Sequence, residues 1–252
     1  RDRSGQNGGF RFISHDAEHS LLDVNQNRVL EPFENGLRPL PAGSDTVLYS
    51  SPQYLWQQLW ASPEFRLRIA DRVQRHFFNG GALTLEASRA RFAARTNQLY
   101  LPVVAESARW GDSKQSTPLT RDIHWLAAAN RVLNTYLPAR GGIVLNQLRG
   151  PALLPNIAAP VLSRHGGVVT NGFGLTMTGP GNGLLVYTLN GTDPRELGGA
   201  QSAGARPYTA PVVLANATLV KARMRRTDGV TNEWSALTEA VRSGKALYVG
   251  IS

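Results

Sequence analysis

Near Gly150-Pro151 the spacing of apolar residues changes, and that change constrains the fold more than any other feature of the chain. Before it, apolar residues recur every three or four positions. Phe65, Ile69, Val73 and then His76 or Phe77 do so in one stretch, and Trp125, Ala128, Ala129, Val132 and Tyr136 in another. Such spacing gathers side chains on one face of a helix. After Pro160 it gives way to short β-rich runs at Val161, Val168, Val169, Leu175, Met177, 184–186, 212–214, Leu219 and Val220, divided by Gly, Pro and Asn. That pattern predicts a small sandwich of about seven strands. The expectation is therefore an α+β multidomain protein. A mostly helical domain covers residues 1–156, an immunoglobulin-like β-sandwich covers 157–243, and 244–252 is a linker or the start of a further domain.

Local signals divide the helical part. Residues 1–9, polar and Gly-rich, read as a hairpin before a strand at residue 10, whereas 23–45, with three prolines, read as a long irregular loop. Ser51-Pro52 and Ser62-Pro63-Glu64 each predict a helix start, with Ser as the cap and Pro in the first turn. Asn79-Gly80-Gly81 ends the second of these helices, and Thr84 caps the next. Pro102 falls in the first turn of a helix running to Trp110, Thr120-Arg121-Asp122 opens another, and a shorter last helix surrounds 138–147. In the sandwich, Asn190-Gly191 predicts a tight hairpin turn with positive φ, which Asp193-Pro194 continues.

Charge narrows the classes of partner. The chain carries 27 basic and 18 acidic residues, a net +9. Up to Ile157 there are 18 basic and 13 acidic residues, and after it 9 and 5, so the excess is spread along the chain. One local run, at Arg223, Arg225 and Arg226, does not make the basic stripe with a readable motif that nucleic-acid binding needs. No nucleic-acid partner is expected, while attraction to acidic or phosphorylated polymers is compatible with the balance. No apolar run approaches the length of a bilayer span. With no cysteine, disulfides and thiolate metal sites are excluded.

The densest chemistry lies in residues 10–22, FRFISHDAEHSLL. It starts as an alternating strand and then places His15, Asp16, Glu18 and His19 within five positions. Asp16 and Glu18, two apart, share a face in extended geometry, and a divalent cation would relieve their repulsion. A solvated strand end with structural ion pairs is the other reading of the same spacing. Imidazole suits softer metals, so His15 and His19 are weaker candidates. His76 and His124 read as packing or capping residues. Glu106, Arg109, Trp110 and Asp112 read as scaffold, with Trp110 packed and Gly111 ending its helix.

The segment FRFISHDAEHSLL resembles that of CotH-type (spore coat protein H) atypical kinases, and the resemblance extends through ESARWGD at 106–112 to about Gly150. It implies the C-terminal part of a kinase-like lobe with Asp16 as a metal ligand and Glu18 as a second acidic position. It further implies Mg²⁺ and ATP in the intact parent and transfer of the γ-phosphoryl group to protein hydroxyls. The family more often has Trp at the position of His15. The catalytic-loop Asp is expected upstream of Arg1, so this fragment alone is expected to be inactive and without cofactor.

The stretch YTLNGTDPR at 187–195, LVKARMRR at 219–226 and EWSAL at 233–237 together resemble the chitobiase/hexosaminidase C-terminal-type sandwich, with Asn190 where Asp is common. The resemblance implies an accessory module in a secreted or cell-surface bacterial protein. Tyr187, Tyr208 and Trp234 are the candidate glycan-stacking residues; the alternative is that they fill the sandwich core. Two functions follow as expectations. One is part of a protein kinase with a protein substrate. The other is a non-catalytic extracellular or cell-surface interaction module facing another domain or a cell-surface polymer.

Overall fold

The computed structural model describes residues 20–27, 29, 56, 58–226 and 233–241. The chain is α+β, and its C-terminal strands form a β-sandwich. It divides into two compact units: Arg1–Ala61 with Phe92–Val144, and Ser62–Arg91 with Leu145–Ser252. The second unit thus contains a helix from well before the change of periodicity.

That helix, α1 (Pro63–Phe77), begins where the sequence predicts: the Ser62 hydroxyl accepts from the Phe65 amide at 3.3 Å, and Pro63 occupies the first turn. Asn79 and Gly80 end it with φ of 56° and 76°. Helix α2 (Leu85–Leu99) starts under Thr84, whose hydroxyl accepts from Ala87. Helix α3 (Pro102–Trp110) has Pro in its first turn and stops at the buried Gly111. Trp110 does not pack as expected; it is 52% exposed, and its ring lies under the Arg109 guanidinium at 5.0 Å.

Thr120 caps the last helical stretch, its hydroxyl accepting from Ile123. His124 Nδ1 accepts from the Thr120 amide at 2.9 Å, a capping contact. The stretch is continuous: a π segment (Arg121–Trp125), α4 (Leu126–Arg131), a second π segment (Val132–Tyr136) and α5 (Leu137–Arg149). The sequence predicts a break near Pro138 and a separate short helix after it. Pro138 lies instead inside the helix. A proline there has no N–H and crowds the carbonyl four residues back, and the wider π turn just before it accommodates both effects. In the first unit, Arg131 donates to the Leu21 and Leu22 carbonyls at 2.8 and 3.2 Å, and Arg140 to that of Val24 at 2.6 Å. These bonds lay residues 21–24 along the helix.

The sandwich has eight strands among the described residues: β1 (Val161–Leu162), β2 (Phe173–Leu175), β3 (Met177–Thr178), β4 (Gly183–Thr188), β5 (Arg206–Pro207), β6 (Val212–Leu214), β7 (Leu219–Arg226) and β8 (Thr238–Val241). All pairings are antiparallel: β1 with β3, β2 with β6, and a four-stranded sheet in the order β5-β4-β7-β8. The core gathers Ile157, Leu162, Leu175, Met177, Leu185, Val212, Leu214, Val220, Ala222, Met224 and Ala240. Alternation along β7 sends Val220, Ala222 and Met224 inward, leaving Lys221, Arg223 and Arg225 on the opposite face.

Gly191 has φ +77°, as Asn190-Gly191 predicts, but the pair does not close a two-residue hairpin. Asn190 Oδ1 accepts from the Thr192 amide and hydroxyl, and the Gly191 amide bonds the Leu219 carbonyl. The chain then runs through a long loop before β5. A Cβ at 191 would meet Leu219 Cδ2 at 2.7 Å. Gly191→Val should therefore destabilise the sandwich by more than about 1 kcal/mol. An unchanged urea midpoint would contradict the positive-φ turn.

Candidate functional site

The Asp16 and Glu18 pair, with His15 and His19, lies outside the described residues. Among the described residues, no group of three or more His, Asp or Glu side chains could hold a metal ion. The three aromatic candidates sit in the sandwich. Tyr187 and Tyr208 meet edge to face, with centroids 6.3 Å apart, and pack half-buried against the core. Trp234 is 4% exposed, donates from Nε1 to the Gly199 carbonyl at 2.9 Å, and has the Arg225 guanidinium over its ring at 5.5 Å.

The most concentrated polar chemistry of the described residues is elsewhere, around Arg223. Strand β7 carries this side chain on the face away from the apolar core, opposite Val186 in register. Its side chain is 2% exposed. Nη1 and Nη2 grip Asp71 of α1, both at 2.8 Å. Nε and Nη2 grip Asp193 at 2.7 and 2.6 Å, and Nη1 also donates to the Ser235 carbonyl at 2.7 Å. These contacts use all five guanidinium donors, so the desolvated cation has no unmet hydrogen bond. The carboxylates are equally engaged. Asp71 Oδ1 accepts from the Leu237 amide at 2.8 Å, and Asp193 Oδ1 from the Arg195 amide at 3.0 Å.

A second fork lies alongside. Arg195 donates to both Glu64 oxygens at 2.7 and 2.6 Å, and Glu64 also accepts from the Gly198 amide. Glu64 and Asp71 are seven residues apart, two helical turns, so one edge of α1 presents both acids. The turn after Thr192 supplies both Asp193 and Arg195.

The charge states are fixed by this geometry. Burial would raise the Asp193 carboxyl, but hydrogen bonds and charge from Arg223 outweigh it and hold it below the usual range. Burial likewise opposes the Arg223 cation, and the two aspartates overcome it and raise its pKa. The hydrogen bond from Arg195, against a smaller effect of burial, brings Glu64 from 4.5 to about 2. A carboxylate depressed on folding contributes its stability above its unfolded pKa and loses it as pH falls toward the folded one. The Glu64 contribution should therefore be full above about pH 4.5 and vanish toward pH 2. In acid titrations followed by circular dichroism, Glu64→Gln should flatten this part of the stability loss, and an unaltered profile would contradict the assignment.

Glu64, Asp71, Arg195 and Arg223 were not singled out as site residues by sequence reasoning. The i, i+7 acids on α1 and the Asp-Pro-Arg turn were visible, but no spacing rule joins residues 152 positions apart. Chemically the cluster is closed. With all five Arg223 donors engaged, and with Asp71, Asp193 and Glu64 each holding an arginine and a backbone amide, it joins helix to sandwich and offers no free general acid or base.

Residues 175–238 match the model of a family described as Fn3 associated, so this part of the chain is similar to that β-sandwich type. No curated protein and no solved structure matches the chain significantly. The matched stretch includes Asp193, Arg195 and Arg223 but not their partners Glu64 and Asp71. Among the described residues no helix is long and apolar enough to cross a membrane.

Proposed function

We propose that the second unit is a non-catalytic accessory module, a β-sandwich braced by α1, carried outside the cell or on its surface by a larger protein. The observation behind this reading is the closure of the Arg223 cluster. Its carboxylates each hold an arginine and a backbone amide, so the strongest polar site of the unit is committed to cohesion. Its role is then to present a rigid surface to a neighbouring domain or a cell-surface polymer.

Phosphoryl transfer is the second reading. The Asp16-x-Glu18 spacing and the CotH-type resemblance of residues 10–22 favour it, with a protein as acceptor. The two readings separate in one assay on the intact parent: that protein, and its Asp16→Asn variant, incubated with Mg²⁺, labelled ATP and an acceptor protein. The accessory-module reading expects no label above background from either. Incorporation that Asp16→Asn abolishes would overturn it and establish phosphotransferase activity.

A further inference from the structure

We propose that the C-terminal half of α1 and the turn after it form a peripheral contact for an anionic phospholipid surface. Arg68, Arg72 and Arg75 are exposed at positions i, i+4 and i+7, one beside another on the helix. Several other cations of the same unit are neutralised locally: Arg195 by Glu64, Lys221 by Glu239, Arg223 by two aspartates and Arg226 by Glu233. Among the described residues the Arg68 and Arg72 guanidinium groups have no carboxylate within ion-pair distance. Asp71, between them in sequence, is held by Arg223. Like charges at this spacing oppose the helix that carries them, and an anionic surface would relieve that repulsion. The local field is positive enough that, after burial, Arg75 and Arg72 also push the His76 imidazole down.

Apolar side chains adjoin the same end of the helix. The Leu83 amide bonds the His76 carbonyl at 2.7 Å and the Gly81 amide bonds that of Phe78 at 2.9 Å, folding the turn back on the last turn of α1. Phe78, Leu83 and Leu85 are 39, 48 and 42% exposed. A soluble polyanion would engage the arginines and leave these side chains in water. A bilayer interface accommodates both, with the cations at the headgroups and the apolar groups at the acyl boundary. The proposal is independent of whether the parent transfers phosphate.

The test is co-sedimentation of the full chain with vesicles of phosphatidylcholine alone or mixed with phosphatidylglycerol. Partition is expected only onto the anionic vesicles, weakening as salt rises. Arg68→Gln, Arg72→Gln and Arg75→Gln should each reduce it about fivefold. Phe78→Ser with Leu83→Ser should reduce it further, while Arg206→Gln, at an exposed cation on β5, should not. Equal partition onto neutral vesicles, or equal loss with Arg206→Gln, would overturn the proposal. So would full competition by soluble polyphosphate together with unchanged binding by the Phe78 and Leu83 variant, which would identify a polyanion site instead. The substituted side chains are exposed, and unchanged melting curves verify folding.

Discussion

Replacing Asp71 and Asp193 together by alanine should destabilise the sandwich unit by more than the two single replacements added. With either carboxylate present, Arg223 keeps a bidentate partner and the Ser235 carbonyl, so each single change should cost about 1–2 kcal/mol. With both gone, a guanidinium whose side chain is 2% exposed has lost every anionic partner. Leaving a buried charge uncompensated costs about 3–5 kcal/mol. The double-mutant cycle should therefore show a coupling of about 1 kcal/mol or more in urea unfolding. Additive losses would mean that water or a rearranged side chain neutralises Arg223. Arg223→Met in the double-alanine background supplies the control: it removes the stranded charge and should recover part of the loss.

Trp234→Ala should be of similar size, about 3–5 kcal/mol, because a large buried side chain leaves a cavity and the Gly199 carbonyl loses its donor. The same variant separates two roles for this ring. A tryptophan that serves only to stack on a glycan can be truncated with little effect on stability, whereas one that fills the fold cannot. Trp234→Phe should fall between, keeping most of the apolar volume while losing the indole hydrogen bond. A melting transition unmoved by Trp234→Ala would show that the ring contributes little to packing.

Signals that act within a few residues were legible in the sequence. Ser62, Thr84 and Thr120 cap helices because a hydroxyl beside free amides needs no distant partner, and Gly191 takes positive φ because the local turn demands it. The course of the chain through Pro138 was not legible. A proline usually ends a helix, and the π turn that lets this one continue has no composition of its own. The run Arg223, Arg225, Arg226 reads in sequence as a local basic patch. In the structure each side chain has its own partner, respectively Asp71 and Asp193, the Trp234 ring, and Glu233. Asp71 carries no signal of its own in the sequence, since its partner is supplied by a strand far along the chain. The pair Asp16 and Glu18, the strongest chemical signal in the sequence, falls outside the described residues.

The forks on α1 also bear on the order of events during synthesis. Glu64 waits for Arg195, 131 residues later, and Asp71 for Arg223, 152 residues later. At a translation rate of about 5–20 residues per second, α1 spends roughly 8–30 seconds without the cation that anchors it. Partway through that interval the first unit's Phe92–Val144 is complete, so it can fold while the helix is still unanchored. The brace therefore closes fully only once β7 exists, and a ribosome stalled before Arg195 would display a helix with two unanswered acids.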